Sequence, residues 1–204
     1  MITVDARPTA AGRRLRVALL SYDFGEYSVQ VANALAPDAE VLLALPAAAV
    51  AAHQATLCAM VHLHAFQKPR LRQPIHQLLR FRELTQAIHQ FNPDVVHVQQ
   101  GHLWLNLMLP ALRRYPLVIT VHDPAHHPGD RPSHKTPQWL TDFGFHQATR
   151  LIVHGQSLKD SLVRRCSVEA ERVDVIPHIA LGSPEDEPAP SEPGERVLFL
   201  GRIW

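Results

Sequence analysis

His122, directly after the apolar run Leu117–Val121, is the side chain in this sequence best placed to do chemistry. It opens a segment that continues through Asp123 and Pro124 to Thr136 and also carries His126, His127, Asp130 and His134. Neutral imidazoles with a carboxylate suit zinc and related divalent ions, so a metal-assisted hydrolase using the His122–His134 loop is one reading. The pattern HDxxHH is no established ligand spacing, however, and Pro124, Pro128 and Pro132 disperse the side chains. Exposed, unligated loop histidines are the competing reading, and the expectation is no metal site. His122 itself is then either a reacting group or a hydrogen-bonded structural histidine.

Two further loops hold polar groups next to apolar runs. After Leu15–Leu20 comes Ser21-Tyr22-Asp23-Phe24-Gly25-Glu26-Tyr27, and after Val95–Val98 comes Gln99-Gln100-Gly101-His102-Leu103-Trp104. A single glycine before a helix is not GxGxxG, which argues against a nicotinamide-dependent enzyme and leaves Gly25 as a plain turn or a phosphate or acceptor contact. No GxSxG elbow supports a serine nucleophile, since Gly155-Gln156-Ser157 merely opens a helix. Cys58 and Cys166 form no CxxC and sit in apolar or helical surroundings, as buried, inert thiols of a reducing compartment do.

The elements that must position these groups follow a simple rhythm. Candidate strands are Leu15–Leu20, Glu40–Leu45, Met60–Leu63, Val95–Val98, Leu117–Val121, Leu151–Val153 and Val173–Ile176. Several are apolar without alternation, as strands covered on both faces must be. Between them lie helical candidates: Tyr27–Leu35, Pro74–Phe91, Trp104–Arg114, Pro137–Ala148 and Ser157–Arg165, the last with Ser157 as N-cap and Asp160 completing an imperfect capping box. Strand–helix–strand repetition predicts an α/β fold with a doubly wound, mostly parallel Rossmann-like sheet. Ligands of such sheets bind beyond the carboxyl ends of the strands, where all three loops lie.

Composition sets the outer limits. Of 204 residues, 46% are apolar and 19% charged, and 20 basic against 19 acidic side chains leave a formal charge of +1. That is an ordinary globular balance with no global reason to bind nucleic acid. The longest apolar stretch, Val41–Ala52, is interrupted by Pro46 and too short to span a membrane. Arg13 and Arg14 precede an apolar run too short for a secretory signal, so a soluble, cytoplasmic protein is expected. Lys68, Arg70, Arg72, Arg80 and Arg82 read as a solvated helix face or, with Leu78, Leu79 and Phe81 among them, as a peripheral membrane contact through the Lys68–Arg82 region. The organisation expected is a flexible N-terminus (1–13), a Rossmann-like domain (14–177), a proline-rich acidic linker (178–195) and the opening strand of a second, truncated domain (196–204).

Taken in order, RVALLSYDFGEYSVQVANAL, PDVVHVQQGHLW, LVITVHD, RLIVHGQSLKDSL, ERVDVIPH and RVLFLGRIW resemble the N-terminal half of family 4 glycosyltransferases. The resemblance implies the N-terminal, acceptor-side half of a GT-B fold, two Rossmann-like domains facing across a cleft. A sugar passes from a nucleotide-sugar to a sugar or lipid-linked acceptor with retention, without a cofactor or a required metal. It makes His122 the group near the reacting carbon. Gly25, Gly201 and Arg202 become contacts to the donor phosphates, Arg202 neutralising the charge that builds on the departing diphosphate. Tyr27, Gln99, His102 and Asp123 are the expected acceptor contacts. The sequence departs from the family in having only Gly25 after the first strand, no glycine after His178, and no family lysine before Trp204. The chain alone is therefore expected to be inactive unless a separate C-terminal half supplies the donor site. A non-catalytic module binding a sugar or headgroup stays open beside this reading.

Overall fold

The computed structural model describes residues 13–125, 136–179 and 181. Seven strands alternate with six α-helices: β1 (Leu15–Leu20), α1 (Gly25–Leu35), β2 (Ala39–Pro46), α2 (Ala47–His53), β3 (His62–Phe66), α3 (Pro74–Phe91), β4 (Val95–Gln99), α4 (Leu103–Met108), β5 (Leu117–Val121), α5 (Gln138–Gln147), β6 (Arg150–Val153), α6 (Gln156–Cys166) and β7 (Val173–Val175). The strands form one sheet in the order β3-β2-β1-β4-β5-β6-β7, and every pair is parallel. The sheet is thus wholly parallel, and its strand order reverses beside β1.

Alternation along the strands explains the two-sided core. Val17 and Leu19 of β1, with Val41, Leu43 and Leu45 of β2, face Val29, Ala32 and Ala36 of the α1 region. Ala18, Leu20, Leu42 and Ala44 face the other way, into a larger cluster with Leu84 and Ile88 of α3, Leu105 and Met108 of α4, Phe145 of α5 and Leu162 of α6. Helix α3 starts with Pro74 in its first turn and stops at Asn92, whose left-handed backbone (φ 49°) turns its N–H back to the Ile88 carbonyl at 3.0 Å.

Several boundaries differ from expectation for local reasons. The apolar stretch around Pro46 divides into the end of β2 and the alanine-rich α2. Strand β3 is shifted to His62–Phe66, an edge strand whose alternating, mostly exposed residues lack the unbroken apolar signature. Helix α4 ends at Met108 and tightens into a 3₁₀ turn, Leu109–Leu112, because Pro110 has no N–H to continue it. Ser157 is not an N-cap: α6 begins at Gln156 after an extended Gly155, without a side-chain cap, and Asp160 accepts instead from Gln156 Nε2 at 2.8 Å.

Candidate functional site

Strands β5, β6 and β7 end level with one another, Val121 pairing with Val153 and Val153 with Val175. Their register sets His122 and His154 side by side just past the carboxyl ends of β5 and β6, and the segment after β7 brings His178 against both. Ring centroids are 5.1 Å apart for His122 and His154, 4.6 Å for His154 and His178, and 6.1 Å for His122 and His178. Phe24, from the loop after β1, stacks on His122 at 3.9 Å, and Tyr27 of α1 meets that ring edge-on at 5.0 Å.

Hydrogen bonds fix this arrangement. His122 Nε2 lies 3.0 Å from Gln99 Oε1, while the backbone N–H groups of His122 and Asp123 both donate to Gln100 Oε1 at 2.6 Å. Burial, reinforced by repulsion from His154, His178 and His97, depresses the His122 pKa to about 3, so the ring is neutral at ordinary pH. Beneath it, His97 Nε2 lies 2.8 Å from Thr120 Oγ1. Burial depresses His97 to about 4 and raises Tyr27.

A second, polar cavity of about 530 Å³ lies where the strand order reverses, between the loops after β1 and β4. Asp23, Lys68, Arg70, Gln100, Gly101 and His102 line it, with Thr136 and Thr141. Lys68 Nζ bonds the Tyr22 carbonyl at 3.1 Å and pairs with Asp23. The His102 ring stacks on Tyr22 at 4.7 Å and is buried, its Nδ1 without a hydrogen-bond partner. Burial, then the Lys68 charge, depress His102 to about 4 against the opposing pull of Asp23. Burial pushes Tyr22 up to about 12.

Gly101 is required here by space. A Cβ on it would sit 2.1 Å from Asn106 Oδ1, and one on Gly144 would sit 2.8 Å from that same oxygen, so the buried Asn106 side chain is hemmed in on both sides. Gly101→Ala is expected to cost about 1–3 kcal/mol. Chemical denaturation should show the cost shrinking when Asn106→Ala is already present; an equal cost in both backgrounds would refute the steric explanation.

The expected site residues fall into three groups. His122 and His102 stand beyond the carboxyl ends of β5 and β4, in the imidazole cluster and the polar cavity respectively. Gln99 and Tyr27 do not line the polar cavity: Gln99 is fully buried and turned to His122, and the buried Tyr27 ring meets His122 edge-on. Asp123 is exposed beside Gln100, and Gly25 packs against α2, its would-be Cβ 2.9 Å from Ala49 Cβ. Gly201, Arg202, His126, His127, Asp130 and His134 lie outside the described residues, as do most of the expected linker and the strand after it. The histidines that do meet His122 are His154 and His178. The signal for His154 was present, because it follows an apolar run just as His122 does.

The sequence model of Glycosyltransferase Family 4 matches residues 25–179, more than half of the chain. The chain belongs to that family. No curated protein matches it in sequence. Among solved structures, this family 4 chain is similar to a UDP-N-acetylglucosamine 2-epimerase from Rickettsia bellii (TM-score 0.60, 14% identity, 79% of this chain and 44% of that one). It is also similar to a glycosyltransferase from Rickettsia africae (TM-score 0.56, 11% identity, 81% and 43%). A third is HepE of Anabaena in complex with UDP and glucose (TM-score 0.55, 17% identity, 85% and 48%). These likenesses establish the GT-B type of Rossmann-like fold, and the family 4 chain spans less than half the length of each structure. Among the described residues, no helix is long and apolar enough to cross a membrane.

Proposed function

We propose that residues 14–177 are the acceptor-side domain of a retaining glycosyltransferase that moves a sugar from a nucleotide-sugar to a sugar or lipid-linked acceptor in the cytoplasm. The supporting observation is the polar cavity at the strand-order reversal of a family 4 domain, because parallel sheets bind ligands there. Lys68, Asp23 and the unpartnered Nδ1 of His102 offer a hydroxylated acceptor both donors and acceptors. The neutral His122 beside it suits contact with the donor sugar. Residues 178–195 then form the linker and 196–204 the start of a donor-side lobe, in which Gly201 and Arg202, with Gly25 from this domain, contact the diphosphate as the bond to the sugar breaks. The complex of HepE with UDP and glucose, and that of a neighbouring epimerase from Neisseria meningitidis with UDP-GlcNAc, make a nucleotide-sugar the donor to test first.

An open sheet edge needs a facing lobe to enclose such a donor. The 204-residue polypeptide alone should therefore give background turnover, and joining it to a family 4 donor-side lobe should produce acceptor-dependent release of nucleoside diphosphate. Release that ignores the acceptor, or none from the joined protein, contradicts this reading.

The acceptor side also carries a surface for an anionic bilayer. Ile75, Leu78 and Leu79 of α3 are 73%, 63% and 62% exposed, and with Phe81, Trp104 and Leu107 they line an apolar groove of about 870 Å³. Such a patch on a soluble domain marks a contact surface. Arg82 lines the groove, Arg70 and Arg72 lie exposed in the segment just before α3, and the stretch from Lys68 to Arg82 contains no acidic residue, the pattern that anionic headgroups attract. Vesicles containing phosphatidylglycerol should co-sediment the protein and pure phosphatidylcholine vesicles should not. Ile75→Glu with Leu78→Glu should cut the partition about tenfold or more, since each side chain contributes roughly 1.5–3 kcal/mol on burial. Equal binding to both lipids, or binding unmoved by the substitutions, excludes this surface.

A further inference from the structure

We infer that His122, His154 and His178 form a binding site for a divalent transition ion of the zinc class. The three residues come from the ends of three consecutive parallel strands, and one ring nitrogen of each lies within 4.8 Å of those of the other two. In a tetrahedral site with metal–nitrogen bonds of about 2.0–2.1 Å, such nitrogens stand roughly 3.4 Å apart. Closing on an ion thus asks for inward movement of about an ångström. His178, exposed and on irregular backbone after β7, can supply it by rotation of its side chain.

Each of the three rings also has one nitrogen engaged with an oxygen, the kind of contact that orients ligating imidazoles. Each ring points one nitrogen at an oxygen: His122 Nε2 at Gln99 Oε1 (3.0 Å), His154 Nδ1 at the Ile176 carbonyl (3.0 Å) and His178 Nδ1 at the Ile179 carbonyl (2.6 Å). A nitrogen facing an oxygen acceptor carries a proton, so the opposite nitrogen of each ring is the one left to offer a lone pair to an ion. This pairing of an oriented N–H with a bare nitrogen is what holds ligating imidazoles in place in metal sites. At His154 the bare atom, Nε2, is buried and has no hydrogen-bond partner, a deficit that a metal ion would remove.

Three imidazoles leave a fourth position for water or another oxygen ligand. Among the described residues this is the one group of three or more histidine, cysteine or acidic side chains close enough to share an ion. The family resemblance implies a transfer that requires no metal. The ion is therefore assigned to these rings independently of the transferase reading and not to a step of the transfer, and it competes with a donor sugar for His122.

The test uses the untagged 204-residue chain, stripped with a chelator and titrated with zinc chloride by calorimetry and with cobalt(II) by visible absorbance. One zinc per chain should bind with Kd below about 10 µM, and cobalt should give the intense visible bands of a four-coordinate site. His154→Ala and His178→Ala should each weaken binding at least tenfold, whereas His76→Ala, on the exposed face of α3, should leave it unchanged. Circular dichroism checks that each variant folds, and the exposed His178 gives a further variant, His178→Gln, that does not threaten the core. Absence of 1:1 binding in that range, or binding that survives loss of His154 and of His178, overturns the site.

Discussion

Acidification from pH 6.5 to about pH 4 is expected to strip several kcal/mol of folding stability from this domain. His97 and His102 are held neutral by burial, with pKa values of about 4 against 6.5 in the unfolded chain. Between those limits the unfolded chain binds protons that the folded one refuses, so stability rises with pH across the window. Above pH 6.5 the contribution is constant, and below the folded pKa values it is fully lost. A separation of 6.5 − 4 = 2.5 units corresponds to at most about 3 kcal/mol for each residue. Small domains have only about 5–15 kcal/mol in total, so His97 and His102, joined by His122 with its pKa of about 3, put a large share of it at risk. Urea midpoints measured across the window should fall steadily with pH, and His97→Gln, which keeps a hydrogen-bonding group toward Thr120, should flatten the slope. A wild-type slope that His97→Gln and His102→Gln both leave unchanged would show that other groups carry the acid sensitivity.

Removing the His122 ring should cost the joined, two-lobe protein about a hundredfold or more in turnover, the usual loss when a preorganised contact to a reacting centre disappears. Proton transfer is a poor account of its role: a group with a pKa of about 3 is far from the operating pH at which acid–base catalysts work best. What the site offers instead is a fixed, uncharged ring, clamped by Phe24 and Gln99. His122→Ala also leaves buried Gln99 Oε1 without a donor, costing about 1–3 kcal/mol of stability. His122→Asn retains a donor and separates the two effects. Both variants should lose turnover, and only the alanine variant should unfold earlier in urea. Turnover within about threefold of wild type in both would remove His122 from the chemistry.

The strands that carry the middle of the sheet were legible because burial on both faces demands unbroken apolar runs: β1 and β5 stand where Leu15–Leu20 and Leu117–Val121 predict them. Where that demand relaxes, legibility goes with it. Edge strand β3 alternates and exposes most of its residues, so the run Met60–Leu63 misplaces it. Helix α2 hides in alanines that carry no amphipathic pattern. At the site, position past a strand end singles out His122, and nearness in sequence suggests His126, His127 and His134 as its companions. A parallel sheet instead gathers residues that are far apart in the chain, so register, invisible in a single sequence, selected His154 and His178. The apolar α3 groove was half-legible: Leu78 and Leu79 among arginines suggested it, but only the packing of α3 against α4 reveals which side is left uncovered.

Strand β1 pairs with β2 on one side and with β4 on the other, Val17 opposite both Val41 and Val95. During synthesis the flank toward β4 has no native companion until Val95–Gln99 has left the ribosome, although the flank toward β2 is satisfied far sooner. Nascent chains arrested in that interval therefore present Val17–Leu20 as a sticky ribbon, the sort of target that chaperones recognise, and shielding of those four residues should appear abruptly once β4 emerges.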